Sequence, residues 1–345
     1  MPARAHCIRS VNQKTTRKEG RNDSTVGEHL GRHPRRALTE AGVRRLLRKL
    51  ARPLLELLAP STPELRRLLA STKVEEVASG FGFTEGPAWH RDGFLLFTDI
   101  PRNRIMKWHP IDGVSIYREP SRQANGLAFD RQGRLFACEH GARRISRTEA
   151  DGTVITVVDK YQGKRLNSPN DLAFAADGAL YFTDPPYGLP GQSEGKELDF
   201  DGVFRLSPQG ELTVLTNDFE RPNGIAFSPD QKTLYVADTA RMHVRAFDMK
   251  DGGSIINGRV FAELRPWAKG VYGAPDGMKV DLRGHLYVAG PGGVWVFDAE
   301  GKRLGVIPTP KAPSNCSFGE ADFKTLFITG GTSLYRIRLR VAGQQ

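Results

Sequence analysis

Asn223-Gly-Ile-Ala-Phe-Ser-Pro-Asp-Gln-Lys-Thr-Leu-Tyr-Val-Ala-Asp238 is the stretch on which the fold turns. A polar residue opens a short apolar run, a turn-forming segment follows, and a second run of β-branched and aromatic residues ends in an acid. The pattern recurs. The openers are Glu85-Gly86, Asn125-Gly126, Asn170-Asp171, Asn223-Gly224, Asp276-Gly277 and, less cleanly, Ser314-Asn315. The second runs end at Asp99, Glu139, Asp184, Asp238, Gly290 and Gly330. Self-similarity at roughly 40–50 residues is the mark of a propeller or solenoid.

The units share one grammar. Leu135-Phe-Ala-Cys138, Leu180-Tyr-Phe-Thr183, Leu234-Tyr-Val-Ala237, Leu286-Tyr-Val-Ala289 and Leu326-Phe-Ile-Thr329 stand at equivalent places. Asp92-Gly93, Gln132-Gly133 and Asp177-Gly178 supply turns between runs. Short apolar runs bounded by glycine turns read as antiparallel strands. Helical periodicity is absent after residue 70. The expectation is an all-β six-bladed β-propeller over residues 73–345, within the usual range of blade number. A propeller must close, because an open end leaves unpaired strand edges. The last unit supplies three good strands, and Lys73-Val-Glu-Glu-Val-Ala78 is a spare one. It is expected to complete the sixth blade from outside.

Charge is distributed unevenly. The chain of 345 residues carries a net +11, yet residues 1–70 alone hold 16 Lys+Arg against 6 Asp+Glu. The repeats are therefore near neutral, which argues against a nucleic-acid face on the body of the protein. Residues 1–72 read as a basic, partly helical extension. Residues 1–37 are polar and expected to be disordered. Val43, Leu46, Leu47, Leu50, Leu54, Leu57 and Leu58 follow helical spacing, so an amphipathic helix is expected over 39–58. Such a helix can lie on an anionic membrane surface or direct organelle import. The plainer reading, a helix packed on the domain or a dispensable start, is preferred. Cys7, Cys138 and Cys316 form no CxxC pair, and the last two sit in or beside strand runs as buried thiols would. No apolar run approaches the ~20 residues of a membrane span, and a cytoplasmic protein is expected.

Asn-Gly and Asp-Gly are favoured turn dipeptides, and each opener alone reads more naturally as a turn than as a ligand. Their common phase changes that reading. A propeller brings equivalent positions of its blades to one axis, so the openers should meet at the tunnel mouth. Glu85 and Asp276 bring carboxylates, and Asn170 and Asn223 bring amide oxygens. Several oxygen donors suit a hard divalent cation such as Ca²⁺. No imidazole or thiolate belongs to the phased set, which argues against a dedicated zinc or copper centre.

Phe83-Thr-Glu85-Gly-Pro-Ala-Trp89, Asn167-Ser-Pro-Asn170-Asp171, Arg221-Pro-Asn223-Gly224 and Pro275-Asp276-Gly277-Met278 resemble the gluconolactonase, senescence marker protein and regucalcin family. The resemblance covers about residues 73–340 and leaves the extension outside it. It implies a six-bladed, metal-dependent lactonase. Glu85, Asn170, Asn223 and Asp276 would hold one divalent cation, Ca²⁺ first, with Mg²⁺, Mn²⁺ or Zn²⁺ as substitutes. Asp276 is the family's candidate general base, although a carboxylate on a cation is a weak base and could instead orient the water. The substrate it implies is a small lactone, a sugar lactone first. The alternatives on the same metal are phosphotriester hydrolysis and a calcium-binding regulator without turnover.

Asn125, Arg165 and Asn167, with Asp171 and Tyr187 behind them, are the expected substrate contacts. Ser314 and Asn315 are left unassigned. Gly191-Gln-Ser193-Glu-Gly195 matches a serine-hydrolase pattern but lacks the flanking strand and helix. His140 is read as a structural donor. Asp99, Glu139, Asp184 and Asp238 are read as acids that fix loops by accepting backbone N–H groups.

Overall fold

The computed structural model describes residues 62–264 and 271–344. The expected disorder over 1–37, the expected helix over 39–58 and Cys7 lie outside them. The described chain forms a six-bladed β-propeller built of six four-stranded antiparallel sheets. Blade one is Thr84–His90, Phe94–Asp99, Arg104–His109 and Gly113–Arg118, from axis to rim. Blades two to five begin with the inner strands Ala124–Phe129, Leu172–Phe174, Pro222–Phe227 and Met278–Val280. Blade six is Pro313–Gly319, Thr325–Gly330 and Ser333–Arg338, completed on the outside by Glu75–Ser79.

That last pairing closes the ring as the sequence predicts, with Glu75 opposite Arg336 and Ser79 opposite Ser333. The closure extends further than one strand. Thr84 N donates to Gly331 O at 2.9 Å, and Ser314 Oγ donates to Thr84 O at 2.7 Å. Residues 62–72, grouped with the extension by sequence, also contact the blades. Pro63–Leu68 is a short helix capped by Thr62, whose hydroxyl accepts from Leu65 N. Leu65 and Leu68 are buried in one cluster with Leu304, Ile307 and Leu339.

The core lies between blades. Strand side chains alternate from face to face, so each middle strand feeds two junctions. Leu95 and Phe97 pack against Phe327 and Leu334 of blade six, while Leu96 packs against Leu127 and Ala137 of blade two. Tyr181 packs with Phe227 and Val236 of blade four, while Leu180 and Phe182 pack with Phe136 and Cys138 of blade two. Six such clusters, one at each junction, fill the ring. Among the described residues no helix is long and apolar enough to cross a membrane.

Candidate active site

The openers are not hairpin turns. Each begins an inner strand, and in blades one, two, four and six the ladder shifts register at that point. A bulge of this kind re-aims a side chain, here toward the axis. The glycine after the opener has a packing cause. A Cβ on Gly126 would stand 2.6 Å from Asn170 O, and one on Gly224 would stand 2.3 Å from Asp276 O. The backbone of the next blade therefore comes too close for a side chain. Gly126 N donates to Asn170 O at 2.9 Å across the same gap. Blade three has Asp171 in place of that glycine, and its buried carboxylate joins the axial group.

The loops that deliver the openers are held by acids ending the second strands. Asp99 accepts from Gly82 N and Phe83 N, Asp184 from Asn167 N and Ser168 N, and Asp238 from Glu220 N and Arg221 N. Glu139 departs from this reading. It accepts from the side chains of Arg118, Arg144 and Ser146 instead, and the loop it was expected to hold is fixed by Asn103 Oδ1 on Gln123 N.

Around the axis the openers form a chain of contacts. Asn125 Nδ2 donates to Asn170 Oδ1 at 2.5 Å, and Asn170 Nδ2 donates to Asn223 Oδ1 at 2.5 Å. Asn223 Nδ2 passes to Thr239 Oγ1 at 3.0 Å, and that hydroxyl donates to Pro275 O at 2.7 Å. On the other side Asn315 Nδ2 reaches Glu85 Oε2 at 3.1 Å and Asp171 Oδ2 at 3.4 Å. Asn315 was left unassigned from sequence. Its phase in the sixth repeat was the signal that could have included it.

Three carboxylates share this space, and among the described residues none of them is in an ion pair. Burial, followed by the Asp171 charge, pushes Glu85 up to about 7. Asp276 is driven well above the usual carboxylate range by burial, then by Glu85 and Asp171. Burial also raises Asp171, while the Lys279 charge acts the other way. Glu85, Asn125, Asn170, Asp171, Asn223 and Asn315 are buried, whereas Asp276 is partly exposed.

Of the remaining expected contacts, Tyr187 lies beside Asn223, Thr239 and Asp276 at the axial group. Arg165 lies exposed on the rim with Nε on Glu197 Oε1, and its backbone N donates to Glu197 Oε2 at 2.7 Å. Asn167 is buried, with Nδ2 donating to Asp184 O and Phe200 O, both at 2.9 Å, and Oδ1 unpaired. The Tyr187 hydroxyl is also buried and unpaired. His140 stands beside the axial amides, 3.3 Å from Asn125 Nδ2, and desolvation lowers its ring to about 4. Ser193 of the GxSxG stretch makes an exposed bond to Gly191 O only.

The donor set suits a hard cation. Asn170 and Asn223 each spend one lone pair of the amide oxygen on a neighbour and keep a second. Burial and mutual repulsion disfavour the ionised forms of Glu85 and Asp276, and a cation bound between them would favour those forms. Among the described residues no three His, Cys, Asp or Glu side chains group as metal ligands, so the amides are needed to complete a set.

The family described as SMP-30/Gluconolactonase/LRE-like region matches residues 83–332. A gluconolactonase of Zymomonas mobilis is 39% identical over 306 residues, covering 82% of this chain and 86% of its own. A solved gluconolactonase from Xanthomonas campestris is 39% identical with a TM-score of 0.74, covering 81% of this chain and 93% of its own. A solved regucalcin of Agrobacterium tumefaciens, titled a calcium-binding protein, is 19% identical with a TM-score of 0.67, covering 79% and 95%, and shares the fold. The chain belongs to the SMP-30/gluconolactonase/LRE-like family.

Proposed function

We propose that this protein opens the ring ester of a small lactone, a sugar lactone, at the axial cluster. One divalent cation, Ca²⁺ first, would be held by Glu85, Asn170, Asn223 and Asp276. The observation that carries this reading is the convergence of the Glu85, Asp171 and Asp276 carboxylates with the Asn170 and Asn223 amides on one axial group. The names of the two relatives at 39% identity give the reaction class. When bound, such a cation supplies Lewis acidity toward the ester carbonyl.

The chain's own groups do the rest. Asp276, the accessible carboxylate, accepts a hydrogen bond from the attacking water and orients it against the carbonyl carbon. Tyr187 Oη and Asn167 Oδ1 have unused hydrogen-bonding capacity, which suits them to substrate hydroxyls. Arg165 is held by Glu197 at the rim and would meet substrate only by sharing that carboxylate. Asn125 and Asp171 are engaged by Asn170 and Asn315, so they hold the site in place of contacting substrate.

The test is hydrolysis of a panel of sugar lactones and a phosphotriester, with and without chelator. Lactone cleavage abolished by chelation and restored by Ca²⁺ supports the reading. Chelator-resistant cleavage removes the metal, and ion binding without turnover leaves a regulator. Asp276→Asn keeps an oxygen donor and loses the carboxylate. It should lower kcat at least ~100-fold, the usual scale of positioned acid–base help. Full turnover with normal ion binding would remove Asp276 from the mechanism.

A further inference from the structure

We propose that Lys196 and Arg221 bind an anionic group of the substrate, so that the favoured substrates are acidic sugar lactones, with a carboxylate or a phosphate away from the ring ester. The inference rests on the lactonase reading above and narrows its substrate class.

Chain direction puts these cations at the same end of the ring as the openers. In blade three the second strand, Leu180–Asp184, returns antiparallel to the inner one, and Asn170 N donates to Thr183 O at 2.8 Å. Residues 185–201 join Asp184 to the third strand, Gly202–Leu206, and therefore leave from the end where Asn170 lies. Tyr187 of this segment lies beside Asn223 and Asp276. Lys196 and Asp201 belong to the same segment. Arg221 comes from blade four, just ahead of the inner strand that carries Asn223, and its backbone N donates to Asp238 Oδ1 at 3.2 Å. Asp201 ties the two blades together. Its Oδ1 meets Lys196 Nζ at 2.6 Å and Asn167 Nδ2 at 3.4 Å, and its Oδ2 accepts from Arg221 Nη1 at 3.0 Å.

The charges around Asp201 do not balance. Asp201 is buried, while Lys196 and Arg221 are partly exposed. One carboxylate serves both cations, and among the described residues neither is paired with another acid. Glu197, beside Lys196 in the chain, is likewise shared, by Arg165 and by Arg143 at 3.9 Å. Arg143 spends Nε on Leu166 O at 2.7 Å and Nη1 on Gly195 O at 2.9 Å, and its buried Nη2 has no partner. Asp184 accepts from the backbone N–H groups of Asn167 and Ser168. Even with Asp184 counted beside Glu197 and Asp201, the four cations Arg143, Arg165, Lys196 and Arg221 outnumber the acids. Holding Asp201 in place takes one cation. The second is left for a ligand, and a carboxylate or phosphate uses it where a neutral sugar does not, because ionised partners make hydrogen bonds about twice as strong as neutral ones.

The experiment compares kcat/KM of the full chain, with Ca²⁺ present, on two matched pairs. One is glucono-δ-lactone against its terminal phosphate ester, and the other is glucono-γ-lactone against the γ-lactone of glucaric acid, which carries a free carboxylate. The wild type should favour the anionic member of at least one pair about tenfold, the scale of one hydrogen bond to a charged group, and mainly through KM. Which pair shows the preference separates phosphate from carboxylate. Lys196→Met and Arg221→Met should each lower the anionic-to-neutral ratio by about that factor. Lys196→Arg should keep the ratio, and Asp201→Asn, which releases both cations, should raise it. High salt should reduce it. Cations that serve only to hold Asp201 would, on removal, slow both members of a pair alike and leave the ratio unmoved. Should Lys196→Met not fold, Lys196→Gln carries the same comparison. Equal use of neutral and anionic lactones by the wild type, or a ratio unmoved by loss of the Lys196 charge, overturns the proposal and leaves the lactonase reading standing. A wild type that hydrolyses none of these lactones overturns both.

Discussion

His140 carries a cost that depends on pH. Its ring is buried against Asn125 and stays neutral down to about 4, whereas an imidazole in the unfolded chain protonates near 6.5. Between those values the unfolded state binds more protons, so stability falls as the pH drops through that window, by up to ~3 kcal/mol. Glu85 and Asp184 act in the opposite sense. Both are pushed up to about 7 by burial, so the folded state holds their protons longer and loses stability as the pH rises toward 7. The His140 contribution is therefore read as a difference. Urea unfolding in chelator at pH 7 and pH 4.5 should show a smaller acid loss for His140→Gln than for the wild type. Equal losses would assign the acid sensitivity elsewhere. At this scale the sequence was only partly legible. Glu85, Asn170, Asn223 and Asp276 could be picked out by phase and donor type. Asn315 stood in the same phase but was left unassigned, and its partners Glu85 and Asp171 lie in other blades.

The inner strands show why a polar residue followed by glycine recurs. The pair is common in turns, yet here it marks a strand start pressed against the next blade. Gly224 has an ordinary backbone conformation, so the 2.3 Å approach of Asp276 O to its Cβ position is the constraint. Gly224→Ala must push blade five outward or twist the opener. A loss of about 2 kcal/mol or more is expected, in the range of overpacking. Denaturant unfolding measures it, and ion affinity should fall in parallel, because Asn223 and Asp276 flank the displaced backbone. A variant as stable as the wild type would show that the junction can relax. The second-strand acids were legible as loop anchors at Asp99, Asp184 and Asp238. Glu139 was misread because a longer side chain reaches past the loop to arginines, and residue type alone does not set that reach.

The ring as a whole is closed by the chain segment ahead of its first blade. Glu75–Ser79 covers the outer edge of blade six, and Leu65 and Leu68 seal the junction of blades five and six. Burying two leucines is worth about 3–6 kcal/mol, so the end of the dispensable region matters. A chain beginning at Thr62 should keep the turnover and melting temperature of the full chain. One beginning at Gly80 should melt at least ~10 °C lower and aggregate through the exposed edge Ser333–Arg338. Thermal melts and light scattering of the two truncations decide this, and equal melting would remove the latch from the account of stability.

The amino-acid order by itself determined the propeller, its blade number, the strand that completes it and the polar residue that blades one to five bring to the axis. All of these follow from local periodicity repeated at a fixed interval. Only the tertiary structure decided which of those residues are buried, which one stays partly exposed, and that Asn315 bridges Glu85 and Asp171. Those properties depend on distances across blades, and chain order does not record them.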